Sequence, residues 1–553
     1  MGRGYETQVK ALGEVDVTQV EQNNCQSQQQ NAGGIWERLA WLDADRLVTV
    51  IVFLGLVAMA VRPPADTDTW WHLRSGQYIV ETGSIPFEDP FSHTVYGKAW
   101  IDHGWLAQVG LYLTYRSVGM AGLSLALAGG VVLAFWFVYR RCAGNRYLCA
   151  FALVLAALTS AVTWVARPQI LSFLFTSIFL YVLHRFKHRG ANRLYLLPLL
   201  FLLWVNVHGG FIIGFAVLMA YVVGEALNNA VGVGIAPILD FRRIRLLLAT
   251  TLASVVVVLV NPHTYKMLGY PFFTVGMGAL QNYIEEWGSP DFHLLYQQPF
   301  LWLLFAAVVA MALSRSRVDF TDLVLFAGFG YMALVAVRNF ALFALVAAPV
   351  LTQYGDSALD NLFDAWRKRT PWGHWLDRLA AHRFQTGPLL TLVNVLLLVL
   401  VVFGCAVAAY RSLASVAAGE VVGGRLPVQA VSFIARNELP GELFNSYNWG
   451  GYLIWRLYPG YRVFIDGRTD LYDDAFIQRY LQVIWVRKGW REVLADYGVN
   501  TVLVERDGIL ASFLGNTSGW VPVYIDDVAA VFVRDSGENQ YWISEHRLDW
   551  SDR

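Results

Sequence analysis

Long apolar segments alternate with short polar ones along most of the chain. A membrane-spanning helix needs about 20 mostly apolar residues, or somewhat fewer when flanking side chains reach the interface. Eleven segments fit this pattern, and the fifth and tenth are short. They cover residues 46–62, 119–139, 147–165, 168–185, 194–207, 209–227, 245–261, 298–314, 320–337, 340–353 and 389–411. The pattern predicts a polytopic α-helical membrane protein with about eleven transmembrane helices.

The composition agrees with a membrane location. Hydrophobic residues occupy 56% of the 553 positions and charged residues 15%, whereas a soluble domain carries about 25% charged residues. The formal net charge is zero, so the overall charge does not indicate a nucleic-acid partner. The partner that the composition predicts is the lipid bilayer.

Changes in polarity divide the chain into three regions. Residues 1–40 include the polar run "VEQNNCQSQQQNAGG", which buries too little apolar surface to fold, so we expect a disordered tail. Residues 41–415 hold the spans. Their first outer loop, 62–118, is long and contains a predicted interfacial helix over 105–119. Residues 424–553 form the third region.

Alternating helix-like and strand-like patterns in residues 424–553 predict a small α/β domain. "VQAVSFIARNEL" indicates a helix, and residues 473–498 indicate one or two more. "ELFNSY", "YRVFIDGR" and "NTVLVER" are typical of strands, and "WVPVYIDDVAAVFVR" predicts a hairpin that turns at "DD". The domain contains no cysteine, so no disulfide framework follows.

The distribution of Lys and Arg predicts the orientation, because cytoplasmic loops are enriched in both. One set of loops holds "RRCAGNR", "HRFKHRGANR", "DFRRIR", "SRSR" and "AWRKR", with 17 Lys and Arg when Arg378 and Arg383 are included. The opposite set holds seven, spread over many more residues. We therefore expect a multi-pass protein of the cytoplasmic membrane with its N-terminus inside and its C-terminal domain outside.

Five polar clusters fall on the predicted outer side. They are "DTDTWWHLR" (66–74), "WVNVHGG" (204–210), "NPHTYK" (261–266), "EEWGSPDFH" (285–293) and "VRNF" (337–340). Polar groups at the membrane edge are costly and often mark function. Helix capping and mutual pairing are the alternatives for any single cluster, but five clusters on one face favour a functional site.

The two aspartates of "DTDTWWHLR" carry the candidate chemistry. A carboxylate at this place can act as general base toward an acceptor, and the pair Asp66 and Asp68 can hold a divalent cation such as Mg²⁺ or Mn²⁺. Arg74 or Arg338 can clamp a phosphate. The alternative for the aspartates is an N-cap, since Asp is favoured there.

The aromatic residues that follow the aspartates have two interpretations. Trp70 and Trp71 can stack on a sugar ring, or they can lie in the headgroup layer as interfacial anchors. His72 is a candidate hydrogen-bond partner or ligand. "IDGRTDLYDD" (465–474) is a second acidic cluster that can form a sugar or cation site, although the favoured interpretation is a strand end followed by an N-cap at Asp473 or Asp474.

An acidic motif after span one, an interfacial helix and an outer C-terminal domain together resemble the GT-C glycosyltransferases. These include protein O-mannosyltransferases, aminoarabinose transferases and the catalytic subunit of oligosaccharyltransferase. "DTWWHLRSGQYIVETG" runs from Asp68 to Gly83, a spacing similar to that between the catalytic aspartate and a glycine in those families. The wider motifs, among them "WVNVHGGFIIG", "VRNFALFA" and "NSYNWGGYLIWRLYPGYRVFIDGRTDLY", look like a group of bacterial GT-C-like membrane proteins.

The resemblance implies an inverting glycosyltransferase of the cell envelope that takes a sugar from a polyprenyl-phosphate donor. It implies Asp68 as the catalytic base and Asp66 as an auxiliary acid or metal ligand. The acceptor, whether glycan, lipid or protein, stays open. The residues expected to bind the donor phosphate or sugar are Arg74, His72, His208, Arg338, Trp70, Trp71, Asn206 and Glu286.

The chain also departs from these families. It has Asp-Thr-Asp where the mannosyltransferases have adjacent Asp-Glu, and "SYNWGG" is only a superficial echo of the oligosaccharyltransferase acceptor motif, so sequon glycosylation does not carry over. A lipid or glycan transporter is an alternative function, although no internal repeat is evident. A non-enzymatic membrane assembly partner is another.

Overall fold

A computed structural model of the chain describes residues 41–64, 66–231, 238–369, 388–417 and 426–550. The predicted tail at 1–40 lies outside these ranges. The described residues form a helical domain and, after it, a smaller domain that contains a β-sheet.

The helical domain consists mainly of apolar helices, with a long loop between its second and third helices. Its helices are α1 Ala44–Ala60, α2 Thr69–Thr82, α3 Trp105–Tyr139, α4 Arg146–Ser160, α5 Gln169–Arg189, α6 Leu196–Val207, α7 Ile212–Val231, α8 Phe241–Val258, α9 Lys266–Val275, α10 Gly278–Tyr283, α11 Gln298–Leu313, α12 Phe320–Val335, α13 Phe340–Arg369 and α14 Pro388–Ala417.

A helix lies at each of the eleven predicted spans. Within the described part of the chain, seven helices are long and apolar enough to cross a membrane, and α6 and α12 are shorter apolar helices. A multi-pass helical architecture is therefore confirmed, while the count of eleven spans stays a prediction.

Capping residues start several of these helices at one end of the domain. The side chains of Asp43, Asn145, Asp240 and Asp319 each accept a backbone N–H of the helix that follows. Such caps satisfy N–H groups that have no partner inside the helix. Asn145, Asp240 and Asp319 precede helices that start from the Lys- and Arg-rich loops, and Asp43 precedes the first span, whose start is also predicted to be inside, so all four lie at the end of the domain that is predicted to be cytoplasmic.

The predicted interfacial helix over 105–119 is continuous with the span that follows it. Both belong to α3, and Gly119 breaks the helical geometry between them with φ 66° and ψ −165°. Glycine tolerates this positive φ because it has no Cβ. The break separates the first part of α3 from the apolar second part.

The C-terminal domain surrounds a four-stranded sheet of order β1-β2-β4-β3. Its strands are β1 Glu442–Asn445, β2 Val499–Glu505, β3 Trp520–Ile525 and β4 Ala529–Arg534. Its helices are α15 Val428–Asn437, α16 Gly450–Leu457, α17 Asp474–Ile484, α18 Trp490–Asp496, α19 Ile509–Gly515 and α20 Gln540–His546. The β1–β2 pair is parallel, and the predicted β3–β4 hairpin is antiparallel with Asp526 and Asp527 at its turn.

The predicted strand "YRVFIDGR" is wrong. Residues 461–468 form no named strand and make one isolated bridge, between Val463 and Ser92 of the first outer loop. Val463, Phe464 and Ile465 are buried in the domain core. The N–H of Phe464 and the carbonyl of Ile465 pair with the side chain of Asn445 and not with a strand backbone. The apolar run therefore indicates burial here and not strand pairing.

The first outer loop and the C-terminal domain share one hydrophobic core. The Trp70 ring lies 5.2 Å from the Tyr452 ring and 6.3 Å from the Trp455 ring. A Cβ on Gly451 would come within 2.6 Å of the carbonyl oxygen of Thr67, so only glycine allows this approach. Helices α2 and α16 are thus packed directly against each other.

A buried ion bridge joins the same two parts. The guanidinium of Arg468 donates to Asp466 and, at 2.6 Å, to Asp89 of the first outer loop, and the three side chains have no exposed surface. Breaking such a bridge leaves an unpaired charge in the interior. This contact fixes the C-terminal domain to the loop that begins at Asp66.

Candidate active site

Asp68 stands at the N-cap position of α2, but its carboxylate caps nothing. Its backbone N–H donates to Asp66 Oδ1 at 2.9 Å, which orients the two aspartates relative to each other. Helix α2 ends at Gly83, whose φ of 68° is the left-handed conformation that commonly stops a helix. The spacing from Asp68 to Gly83 is therefore the length of one helix. The alternative that the aspartates serve as N-caps is wrong for the Asp68 side chain, which accepts no backbone N–H of α2.

Arg167 binds both aspartates. Its guanidinium contacts Asp66 through Nε at 2.5 Å and Nη2 at 2.6 Å, and its Nη1 lies 3.0 Å from Asp68 Oδ2. Glu286 Oε2 lies 3.8 Å from the same Nη1. Arg167 precedes Pro168 in the turn between α4 and α5, so the arginine comes from a different part of the domain than its partners. Burial alone would lower the pKa of Arg167, but Asp68 and Asp66 outweigh it and raise that pKa, so the group stays charged.

Arg338 is the second cation near this cluster. Its Nη1 lies 3.7 Å from Glu286 Oε1, and its guanidinium lies 4.1 Å from the centre of the Trp287 ring. Glu286 thus stands between Arg167 and Arg338. The structure brings together Asp66, Asp68, Glu286 and Arg338, as the sequence predicts, and it adds Arg167.

The C-terminal domain closes one side of Asp68. A Cβ on Gly467 would lie 1.8 Å from Asp68 Oδ1, so a side chain at this position would displace the carboxylate. Nearby, the hydroxyl of Tyr270 donates to Asp470 Oδ2 at 3.1 Å. The segment "IDGRTD" therefore lines the site, which is more than the N-cap role expected of this acidic cluster, and Asp473 does cap α17 as expected.

The surroundings of Asp68 make it a stronger base than an exposed aspartate. Burial raises its pKa to about 6; Arg167 opposes the rise, whereas Asp66 and Glu286 add to it. Removing a carboxylate from water disfavours its charged form, and neighbouring negative charges act in the same direction. Asp68 is therefore largely ionised at neutral pH and protonates readily below pH 6.

Three histidines lie beside this cluster. The rings of His103 and His208 are 5.7 Å apart, and the His103 ring is 4.8 Å from that of Tyr270. His208 Nδ1 accepts the N–H of Gly210 at 3.0 Å, so the proton of the neutral ring is on Nε2. Burial lowers the pKa of His72, His103 and His208, and all three rings are neutral at pH 7.

Asp102 is a further buried carboxylate that the sequence reading did not single out. Gln108 donates to its Oδ1 at 2.6 Å, and no hydrogen-bond partner is described for its Oδ2. Burial raises the pKa of Asp102 to about 7, although the Gln108 amide lowers it. Its place beside His103 in the long first outer loop is a sequence signal that could have found it.

Several predicted site residues have other surroundings. The guanidinium of Arg74 stacks over the Tyr458 ring at 4.9 Å, away from the aspartates. Trp70 and Trp71 are buried, so neither is a surface anchor, and Trp70 packs between the two domains. Asn206 Oδ1 accepts the indole N–H of Trp105 at 2.9 Å, which ties α6 to α3.

The helical domain also contains an apolar groove. It has a volume of about 360 Å³ and lies on the flank of the helical domain where α3, α6 and the end of α8 meet. Its lining residues are Trp105, Leu106, Leu199, Leu202, Leu203, Asn206, Val260 and Pro262. The side chain of Asn206, which accepts the indole N–H of Trp105, makes one part of this lining polar.

The side chains around Asp66 and Asp68 do not fit the predicted divalent cation. Both oxygens of Asp66 accept hydrogen bonds from Arg167, and the same guanidinium contacts Asp68. Among the described residues, no group of three or more His, Cys, Asp or Glu side chains is arranged to hold a metal ion. A cation at the aspartate pair would have to displace the arginine.

Comparison with known proteins identifies the architecture. Neither a protein-family model nor a curated protein matches the chain. Solved structures do match: the oligosaccharyltransferase of Archaeoglobus fulgidus in its apo form has a TM-score of 0.57 and 12% identity over 90% of this chain and 76% of its own. The archaeal oligosaccharyltransferase AglB from Archaeoglobus fulgidus, in complex with an inhibitory peptide and a dolichol-phosphate, has a TM-score of 0.53 and 13% identity over 89% of this chain and 74% of its own.

A bacterial enzyme matches as well. ArnT from Cupriavidus metallidurans, bound to undecaprenyl phosphate, has a TM-score of 0.50 and 14% identity over 89% of this chain and 98% of its own. At these identities the likeness concerns the fold, and it extends through both the helical and the C-terminal domain. The chain has the fold of the GT-C glycosyltransferases, as its sequence motifs predict.

Proposed function

We propose that the protein is a glycosyltransferase that moves a sugar from a polyprenyl-phosphate donor to an acceptor outside the cytoplasmic membrane. The observation that supports this best is Asp68, a carboxylate that caps no helix, has a raised pKa and lies with Arg167 and Arg338 at one end of the helical domain. Solved structures of the same fold carry dolichol-phosphate or undecaprenyl phosphate.

In this proposal Asp68 acts as the general base. It accepts the proton of an acceptor hydroxyl or amine while the acceptor atom attacks the anomeric carbon of the donor sugar. The bond between that carbon and the phosphate oxygen breaks, and the polyprenyl phosphate leaves with the electron pair. Attack from the face opposite the phosphate inverts the configuration at the anomeric carbon.

The leaving phosphate requires positive charge and hydrogen-bond donors. Arg338 has its guanidinium beside Glu286 at 3.7 Å, and the Nε2–H of His208 is a neutral donor. Donors that are already oriented toward developing charge are usually the largest single contribution to catalysis. Arg338 and His208 are the proposed phosphate-binding pair.

The apolar groove gives the lipid tail of the donor a place at the membrane. Leucines of α6 form one wall, and Asn206 and Trp105 supply the polar part of the lining. Burial of isoprene units there is favourable at about 25 cal/mol per Å² of apolar surface. In this proposal the sugar phosphate extends from the groove toward the site.

The rate of transfer is expected to depend on the ionisation of Asp68. Since the base must be deprotonated and its pKa is about 6, kcat/KM should be level above pH 7 and fall about tenfold per pH unit below pH 6. The measurement is a pH profile of sugar transfer by the purified protein in nanodiscs. A profile that stays level down to pH 5 contradicts the assignment of Asp68 as base.

Binding of the lipid phosphate tests the function without knowledge of the sugar. Undecaprenyl phosphate should stabilise the protein against thermal unfolding, and Arg338→Gln should weaken the lipid's binding about 10- to 100-fold, because hydrogen bonds to charged groups contribute about 1.5–3 kcal/mol. Arg315→Gln is the matched control, since Arg315 lies in an exposed ion pair with Asp364. Stabilisation by free oligosaccharide and not by the lipid phosphate would favour a transporter instead.

A further inference from the structure

Arg167 is the centre of an anionic cluster that comes from separate parts of the chain. Asp66 and Asp68 precede α2, and Glu286 belongs to the short turn Glu285–Trp287. Their carboxylates lie 2.5 Å, 3.0 Å and 3.8 Å from nitrogens of the one guanidinium. The Arg167 side chain is 20% exposed, so the charge is held largely away from solvent.

Carboxylates also gather around a divalent cation, but the geometry of such a site differs from that of the three carboxylates around Arg167. Mg²⁺ requires oxygen ligands at about 2.0–2.1 Å in a near-octahedral shell. A guanidinium is planar, presents five donors and spreads its partners over its two edges, and it carries its charge at every pH at which proteins fold. The three carboxylates therefore stand around Arg167 and not around a common point.

Asp66 has the least freedom to accept a metal. Its Oδ2 accepts from Arg167 Nη2, while its Oδ1 accepts from Arg167 Nε and from the backbone N–H of Asp68. A cation bound to Asp66 and Asp68 would lie next to a guanidinium of like charge. The same contacts that position Asp68 thus exclude the metal.

We propose that Arg167 is the resident cation of this site, holding Asp66, Asp68 and Glu286 in place of a divalent metal ion, so that neither the geometry of Asp68 nor sugar transfer requires one. The part of this inference that concerns transfer rests on the proposed function. The part that concerns the cation site rests on the contacts of Arg167 alone.

The test is a Mn²⁺ titration followed by electron paramagnetic resonance on the full-length chain. The wild-type protein should take up no Mn²⁺ that depends on Asp66. Arg167→Met keeps the length of the side chain and removes its charge, which leaves three neighbouring carboxylates to repel each other. This variant should gain one Mn²⁺ site per chain, and adding Asp66→Asn should remove it.

Two results overturn the inference. One is a wild-type Mn²⁺ site that Asp66→Asn abolishes, because the metal would then coexist with Arg167. The other is an Arg167→Met protein that is folded and gains no Mn²⁺ site. If Arg167→Met fails to fold, Mn²⁺ binding by wild type and by Asp66→Asn still shows whether a metal coexists with Arg167. Arg167→Lys, which keeps the positive charge, should bind no Mn²⁺.

Turnover separates this inference from the proposed function. Excess EDTA should change the wild-type rate of transfer by less than about twofold, whereas a loss of more than tenfold that Mn²⁺ restores overturns the role of Arg167. If no polyprenyl-phosphate sugar is turned over under any condition, the proposed function fails. The Mn²⁺ titration then still shows whether Arg167 takes the place of a divalent metal ion at Asp66 and Asp68.

Discussion

Replacement of Asp68 by asparagine is expected to reduce sugar transfer at least about 100-fold, the lower end of what a positioned general base contributes. Asparagine keeps the size of the side chain but cannot accept the acceptor's proton. The loss should appear in kcat, since the carboxylate acts on the proton in the transition state and not on the lipid tail. The measurement is product formation from a polyprenyl-phosphate sugar at saturating donor and pH 7.5.

Glu81→Gln is the matched control for this prediction. Glu81 lies in the last turn of the same helix, is exposed, and accepts a hydrogen bond from Gln77. Its loss of charge should leave the rate within about twofold of wild type. Asp68→Asn also removes one partner of Arg167, so the melting temperature of the variant must be compared with that of wild type. A folded Asp68→Asn protein that keeps more than a third of the wild-type rate removes Asp68 as base.

Replacement of Arg468 by methionine is expected to destabilise the protein by about 3–5 kcal/mol. The substitution keeps much of the apolar volume under the Phe91 and Trp100 rings but leaves Asp466 and Asp89 buried without their cation. The apparent melting temperature should fall by at least about 5 °C. Limited proteolysis should then cut between the helical and the C-terminal domain before either domain is degraded.

Arg506→Met is the control on the same domain. Arg506, directly after β2, forms ion pairs with Asp507 and with Asp527 of the β3–β4 turn; both aspartates are exposed, and such surface pairs contribute little. No measurable change in melting temperature is expected. An Arg468→Met protein as stable as Arg506→Met would show that the buried bridge does not hold the two domains together.

Those features of the candidate site that depend on neighbouring residues along the chain could be predicted from the sequence. Asp68 and Gly83 mark the two ends of α2, and helix length is a local property that capping and turn residues encode. Glu286 and Arg338 were found because their loops fall on one side of the membrane domain. The side of the membrane on which a loop lies can be predicted from the Lys and Arg content of the loops alone, without any knowledge of contacts.

The partners of Asp68 could not be derived in the same way. Arg167 is one of several cations on the predicted outer side, and its contact with Asp66 joins residues about a hundred positions apart. Gly467 is still more distant and contributes no side chain. Contacts of this kind depend on how helices and domains pack, which hydrophobic periodicity does not specify.

The tryptophans and the segment "YRVFIDGR" show a related limit. Trp70 and Trp71 follow an acidic motif near a span, a setting typical of interfacial anchors, yet both are buried against other parts of the chain. Residues 461–468 contain the apolar run of a strand and instead lie in the shared core. Both patterns are local, and neither specifies the surface against which the side chains pack.

Gly467 bears on how this protein can diverge from its relatives. The residue lies in the C-terminal domain, yet any side chain there would collide with Asp68 in the other half of the chain. Arg468, the next residue, is bridged to Asp89 of that half. The two halves are therefore coupled at these positions: a chimera that joins the helical domain of one protein to the C-terminal domain of another keeps these contacts only if one parent supplies the residues that match Asp68 and Asp89 and the other those that match Gly467 and Arg468.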